Sequence, residues 1–215
     1  MLVRYLMTHN PVTVTHDTSV PDALRLMREK KVRRLPVLDS HDRLVGIVSD
    51  KDLLYASPSP ATTLSMWEIP ELLGRLKVEK VMTRNVITVG EETPLEEAAR
   101  IMADSKIGGL PVMRGEKLVG IITETDLFKS LLELLGGRRS GVRVSVVAPT
   151  AKGTLAKVTE AIFQAGGDIW GLGLSEIHDE TGRWEMMFKV QQVTPEKLVE
   201  ALRPVVIEIL DVREV

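Results

Sequence analysis

Leu44-Val45-Gly46-Ile47-Val48-Ser49-Asp50-Lys51-Asp52-Leu53 returns later in the chain as Leu118-Val119-Gly120-Ile121-Ile122-Thr123-Glu124-Thr125-Asp126-Leu127, an offset of 118 − 44 = 74. Each stretch reads the same way: a short Val/Ile-rich run with the composition of a buried strand, then a Ser/Thr-x-x-Asp element of the kind that opens a helix. Outward from it, Leu35-Pro36-Val37 recurs as Leu110-Pro111-Val112 at 111 − 36 = 75. The opening Leu6-Met7-Thr8 through Pro11-Val12-Thr13-Val14 recurs as Val81-Met82-Thr83 through Val86-Ile87-Thr88-Val89 at 82 − 7 = 75. The chain is internally duplicated, with one residue lost in the turn before the last strand of the second copy.

Val20, Ala23, Leu24 and Met27 fall at i, i+3, i+4 and i+7, and Leu95, Ala98, Ala99 and Met102 repeat that spacing, so each copy holds an amphipathic helix. Thr18 and Thr93 stand at N-cap positions, and Thr93-x-x-Glu96 has the pattern of a capping box. The order in each copy is β-α-β-β-α. A unit this short buries too little surface to stand alone, so the two copies are expected to pack their sheets as one pseudo-two-fold module with a cleft between them. Residues 1–55 and 78–135 are the expected copies. Residues 56–77, with Pro58, Pro60 and Pro70 beside Trp67, Leu72, Leu73 and Leu76, read as an extended stretch followed by a docked helix.

At 215 residues and 44% hydrophobic content, the chain has apolar material for more than one core. Its 28 Lys and Arg against 30 Asp and Glu leave a net charge of −2, without the positive field that phosphate neutralisation on nucleic acid demands. The absence of cysteine excludes disulfides, thiolate metal sites and cysteine nucleophiles, and agrees with a reducing, cytoplasmic setting. No apolar run approaches the roughly 18 residues of a membrane span, and no signal-peptide core opens the chain, so neither membrane nor nucleic acid is expected as a partner.

The duplicated landmarks resemble the CBS motif pair, or Bateman module, over roughly residues 1–130. The resemblance rests on Met-Thr at each start, Leu-Pro-Val before the middle strand, and Gly-Ile-Val-Ser-x-x-Asp-Leu or Gly-Ile-Ile-Thr-x-x-Asp-Leu at each end. It implies a cleft that takes AMP, ADP or ATP as a regulatory ligand, contacted through Ser49, Asp52, Thr123 and Asp126. A short carboxylate suits the vicinal ribose hydroxyls and a hydroxyl at a helix start suits a phosphate. Both Ser/Thr-x-x-Asp elements are also good capping boxes, and the two roles are compatible. Thr13 and Thr88, on the opening strands, are expected to face the same cleft. Val32-Arg33-Arg34 stands where the second copy has Ile107-Gly108-Gly109, so one entrance is expected to offer guanidinium groups and the other bare backbone. On this reading the first copy is the better phosphate site.

Residues 136–141, Gly-Gly-Arg-Arg-Ser-Gly, have the composition of a flexible junction. Beyond it Val142, Val144 and Val146 alternate as a strand, and Leu155, Val158, Thr159 and Ile162 share a helical face. Leu172 to Ile177 and Trp184 to Val190 flank Asp179-Glu180-Thr181-Gly182 as a hairpin, Thr194-Pro195-Glu196 opens a helix through Leu202, and Val205 to Val212 is a final strand. This β-α-β-β-α-β order over 142–215 resembles a ferredoxin-like ACT domain, so the fold class expected for the whole is α/β (α+β). The resemblance implies a small amino acid as a candidate second ligand at Gly153, Leu155, Asp168 and Ile169, between paired domains. Thr150-Ala151-Lys152-Gly153 departs from the Asp-x-Pro-Gly of that family, and Asp168 replaces its usual Asn. A turn-and-cap role in a dimerisation domain explains the same glycines.

His9, His16, His41 and His178 are scattered, and no nucleophile elbow or metal-ligand spacing is present, so no catalytic residue, metal or catalytic cofactor is expected. The order CBS-CBS-ACT resembles the acetoin-utilisation proteins of bacteria. A non-catalytic sensor, homodimeric and acting on an unidentified protein, is the leading expectation. The alternatives are an enzyme or enzyme subunit of acetoin metabolism, and a dimerising scaffold without ligand.

Overall fold

The duplicated pattern folds as two copies of one strand–helix–strand–strand–helix unit. The computed structural model describes residues 1–56, 76–177 and 182–215. The first copy contains β2 (Val14–Thr15), α1 (Val20–Lys30), β3 (Arg34–Leu38), β4 (Leu44–Ser49) and α2 (Asp50–Tyr55), preceded by β1 (Thr8–His9). The second contains β5 (Val89–Gly90), α3 (Leu95–Ser105), β6 (Gly109–Arg114), β7 (Lys117–Thr123) and α4 (Glu124–Leu134). In each, the short opening strand runs parallel to the middle one and the last strand antiparallel to it. The linker helix expected within 56–77 lies outside the described residues.

Of the expected apolar stripes, Val20, Ala23 and Met27 in α1 and Leu95, Ala98 and Met102 in α3 are buried, while Leu24 and Ala99 are half-buried. Both helices stop at a lysine in the left-handed region, Lys31 at φ 55° and Lys106 at φ 54°. Their starts differ from expectation by one residue. Ser19, not Thr18, caps α1 and accepts from Asp22 N, because the Thr18 hydroxyl is already taken by Thr15 N at 3.2 Å. Pro94 occupies the cap of α3 with no side-chain bond, so the box expected from Thr93 does not form.

The copies are not self-contained. β1, which belongs to the first copy, pairs antiparallel with β7 of the second, with Thr8 opposite Ile121. Thr83 of the second copy bridges Ile47 of the first, with hydrogen bonds of 2.9 and 3.0 Å in both directions. Val3 and Met7 are accordingly buried in the core of the second copy, and Val78 and Met82 in that of the first. Gly46 and Gly120 exist for this exchange. A Cβ at Gly120 would lie 2.5 Å from Met7 Sδ, and one at Gly46 would overlap the Met82 sulfur, 3.2 Å from the Thr83 carbonyl.

The chain divides into two compact units, Met1–Leu127 and Phe128–Val215, the division falling inside α4. The second unit carries β8 (Val142–Pro149), α5 (Thr154–Gln164), β9 (Asp168–Ile177), β10 (Arg183–Gln191), α6 (Pro195–Leu202) and β11 (Glu208–Glu214), the β-α-β-β-α-β order expected. Its antiparallel sheet runs β11-β8-β10-β9. Val144, Val146, Met186 and Phe188 on one face bury against Val158, Ile162, Leu198 and Leu202 of the helices. Thr194 caps α6 ahead of Pro195, as read from the sequence. The last strand starts later than Val205, because Val205 N is spent on Leu202 O in closing α6. Residues 178–181, the expected hairpin turn with His178, lie outside the described residues.

Residues 136–141 are docked instead of loose. Gly136 takes φ 62°, and a Cβ at Gly171 would lie 2.5 Å from the Leu135 carbonyl oxygen, so the missing side chain lets the segment lie flat on β9. Arg139 stacks on the Trp170 ring at 3.9 Å, and Gly141 and Val215 exchange two backbone hydrogen bonds. Glycine here provides close approach in place of slack.

Candidate functional site: paired clefts in the duplicated unit

Two cavities lie at the ends of the exchanged strands. The first, about 500 Å³, is lined by Ser49 and Asp52 at the β4–α2 junction, by Thr83, Asn85, Val86 and Ile87 of the other copy, and by Gly108 and Gly109. The second, about 270 Å³, sets Thr123 and Asp126 at the β7–α4 junction against Thr8, Asn10, Pro11 and Val12. They correspond under the repeat. Each combines one copy's Ser/Thr-x-x-Asp with the other copy's Thr-x-Asn, Thr83-Arg84-Asn85 or Thr8-His9-Asn10.

The anticipated capping box is complete at the β4–α2 junction, and at the β7–α4 junction its carboxylate half is present. Asp52 Oδ2 accepts from Ser49 N at 2.8 Å and Ser49 Oγ at 2.7 Å, while Asp52 N donates back to Ser49 Oγ at 3.3 Å. Asp126 Oδ2 accepts from Thr123 N at 2.9 Å and Thr123 Oγ1 at 2.7 Å. One carboxylate oxygen thus fixes the turn and orients the hydroxyl. The other, Oδ1 in each case, has no partner among the described residues and is available to a hydrogen-bond donor in the cleft.

Arg33 and Arg34 line both cavities. The Arg34 side chain crosses to the second copy and lies over its glycines: a Cβ at Gly108 would fall inside the guanidinium, and one at Gly109 would lie 3.1 Å from Arg34 Cδ. This corrects the expectation of one basic and one bare entrance. The arginines and the glycines meet in one cavity, because positions 34 and 109 face each other across the pseudo-dyad and only a glycine leaves room for the arginine.

Thr13 and Thr88 line neither cleft. Thr13 opens onto a separate cavity with Thr18, Asp22 and Asp39, and Thr88 is exposed. The sheet order β2-β3-β4 puts the opening strand at the edge opposite Ser49, so Thr13 sits on the wrong side of the sheet. Their expected place is taken by Thr8, Asn10, Pro11 and Val12 and by Thr83, Asn85, Val86 and Ile87, residues the sequence reading passed over although Thr-x-Asn recurs as faithfully as the strands. In the second unit, Gly153 precedes α5 at φ 87°, Leu155 packs on the core, and Asp168 and Ile169 open β9. The 11-residue α5 separates Gly153 from Asp168 by roughly 16 Å at 1.5 Å per residue, so one chain does not bring them together.

Two quasi-equivalent clefts, each built from both halves of a duplicated β-α-β-β-α unit, define a tandem module with pseudo-two-fold symmetry. The chain belongs to the CBS domain family, which matches residues 3–59 and 78–133. Among solved structures it is similar to that of CBSX2 of Arabidopsis thaliana in complex with AMP, at 38% identity and TM-score 0.51 over 61% of this chain and 96% of that one. It is similar to a putative acetoin utilization protein (AcuB) from Vibrio cholerae, at 35% identity and TM-score 0.52 over 62% and 94%. It is similar also to the CBS domain pair of protein MJ0100 in complex with 5'-methylthioadenosine and S-adenosyl-L-methionine, at 28% identity and TM-score 0.52 over 65% and 98%. By length the chain spans 94% of a CBS domain-containing protein of Dictyostelium discoideum but 31% of the inosine-5'-monophosphate dehydrogenase of Aquifex aeolicus. Among the described residues no helix is long and apolar enough to cross a membrane, and no group of three or more His, Cys, Asp or Glu is placed to hold a metal ion.

Proposed function

We propose that the chain is a non-catalytic, cytoplasmic regulatory protein that binds an adenosine ligand of the AMP, ADP or ATP class in its CBS clefts and modulates a metabolic partner. The observation that carries this reading is the uncommitted oxygen on Asp52 and on Asp126, each carboxylate already fixed through its other oxygen. A fixed, charged acceptor facing a cleft of a few hundred Å³ suits vicinal ribose hydroxyls, and such charge-assisted bonds are the stronger kind. The adenosine compounds held by CBSX2 and by MJ0100 support the same ligand class.

Within the second unit, residues 142–215 are read as an ACT-like domain. Its βαββαβ order supports this, and the separation of Gly153 from Asp168 favours an amino-acid site shared between two copies of a homodimer. The AcuB resemblance favours a link to acetoin utilisation, and it keeps an enzyme or enzyme subunit of that pathway as the second reading. Titration calorimetry of the whole chain with AMP, ADP, ATP, S-adenosylmethionine and a panel of amino acids, beside an assay for acetoin turnover, separates the two. Saturable nucleotide binding without turnover supports the regulator; turnover without nucleotide binding sinks it.

A further inference from the structure

The arginine pair is common property of the two clefts. Apart from it, the first cleft holds Lys51 and Lys106 against Asp50, Asp52 and Glu124, and the second holds Lys31 against Asp126. Two lysines against three carboxylates, and one against one, leave neither cleft with positive charge to spare. Arg33 and Arg34 turn both positive, and the equivalent positions of the second copy, Gly108 and Gly109, supply no matching pair. Among the described residues neither arginine makes an ion pair within 4.0 Å or a side-chain hydrogen bond, although the Arg34 guanidinium lies beside the Glu124 carboxylate. Arg34 is placed in the first cleft: its guanidinium lies over Gly108, where a Cβ would also come within 2.6 Å of Glu124 Oε2.

We propose that the two clefts compete for this one arginine pair, so that a polyphosphate-bearing adenosine ligand held by the first cleft weakens the binding of a second such ligand in the other. The inference rests on the reading of both clefts as adenosine sites. A guanidinium fork engaged with one phosphate is not free to engage another across the dyad, and neither cleft has a substitute cation in surplus. A phosphate-free adenosine ligand makes no demand on the pair and is exempt from the competition.

Titration calorimetry of the full chain with ATP and with 5'-methylthioadenosine tests this. ATP is expected to bind in two steps, the second weaker by roughly tenfold to a hundredfold, the worth of a charge-assisted contact. The gap should shrink to about threefold or less for 5'-methylthioadenosine, and likewise for ATP on the Arg33→Ala/Arg34→Ala chain. Arg33→Ala alone, at an exposed position, should narrow the gap in part and serves if the double variant fails to fold. Two equal ATP steps, an equal gap for the phosphate-free ligand, or a gap that survives removal of the arginines would overturn the competition while leaving the clefts as ligand sites. No heat from either ligand would remove the reading on which it rests.

Discussion

Replacing Asp52 or Asp126 by Asn forces a choice that the carboxylate avoids. In the native turn, Oδ2 of Asp52 accepts from both the Ser49 amide and the Ser49 hydroxyl, and Oδ1 is left for the cleft. Asparagine has one acceptor oxygen and one NH2 donor. If the oxygen keeps the turn, the NH2 faces the ligand and a ribose hydroxyl loses its charged acceptor. Affinity should then fall by about 1–3 kcal/mol, roughly fivefold to 150-fold. If the amide flips to keep an acceptor in the cleft, its NH2 meets the Ser49 N–H donor and the turn is destabilised. The fold should then lose about 1–2 kcal/mol, or roughly 2–8 °C of melting temperature at 2–4 °C per kcal/mol for a chain of this size. The assay is nucleotide titration calorimetry together with ligand-free thermal melting on Asp52→Asn, Asp126→Asn and the double variant. One quantity or the other must move. A double variant with parental affinity and parental melting would refute the assignment of the free oxygen to ligand and of the bonded one to the turn.

Three further outcomes follow from the packing. Gly46→Ala places a methyl on the Met82 sulfur and should cost about 1–3 kcal/mol in denaturant titration; Met82→Ala in the same chain should recover part of that loss, and an additive double variant would contradict the exchange contact. Gly171→Val drives a side chain into the Leu135 carbonyl and should release residues 136–141 from the sheet. Protease cleavage at Arg138 or Arg139 should then become fast at temperatures where the parent resists. Asp39, hydrogen-bonded to the Arg43 side chain, is held down at about 2 from an ordinary 3.8. A depressed carboxylate stabilises the fold above its unfolded value and loses that contribution as pH falls toward its folded one. The stability difference between the parent and Arg43→Gln should therefore be constant above about pH 4 and close as pH drops toward 2, and a difference independent of pH across that window would be the contrary result.

The duplication made most of the fold legible. Equal spacing of Val20, Ala23 and Met27 with Leu95, Ala98 and Met102 identified the buried helix faces, and the Ser/Thr-x-x-Asp pairs identified the two turns where the clefts lie. What the pattern could not convey is which copy a segment packs on. A repeat register assigns Met7 and Met82 to equivalent positions, but the surfaces of Gly46 and Gly120 are interchangeable as far as that register is concerned. Only the path of the chain sends each methionine to the other copy. The same blindness displaced Thr13 and Thr88, which immediately precede the short opening strands β2 and β5, separated by the middle strand from the strands that carry Ser49 and Thr123.

The contrast between Arg33-Arg34 and Gly108-Gly109 carried more information than a difference between two entrances. Positions related by the repeat generally stay apart, each in its own copy, and are free to hold the same residue. Near a pseudo-dyad they meet, and two arginines there would meet guanidinium to guanidinium at the cost of charge repulsion and overlap. A large, charged residue in one copy opposite glycine in the other is the sequence trace of a position on the axis. Arg34 over Gly108 and Gly109 is that case. Where a duplicated module departs from its own repeat at adjacent positions, the departure locates the axis, and the side chain found there serves both halves at once.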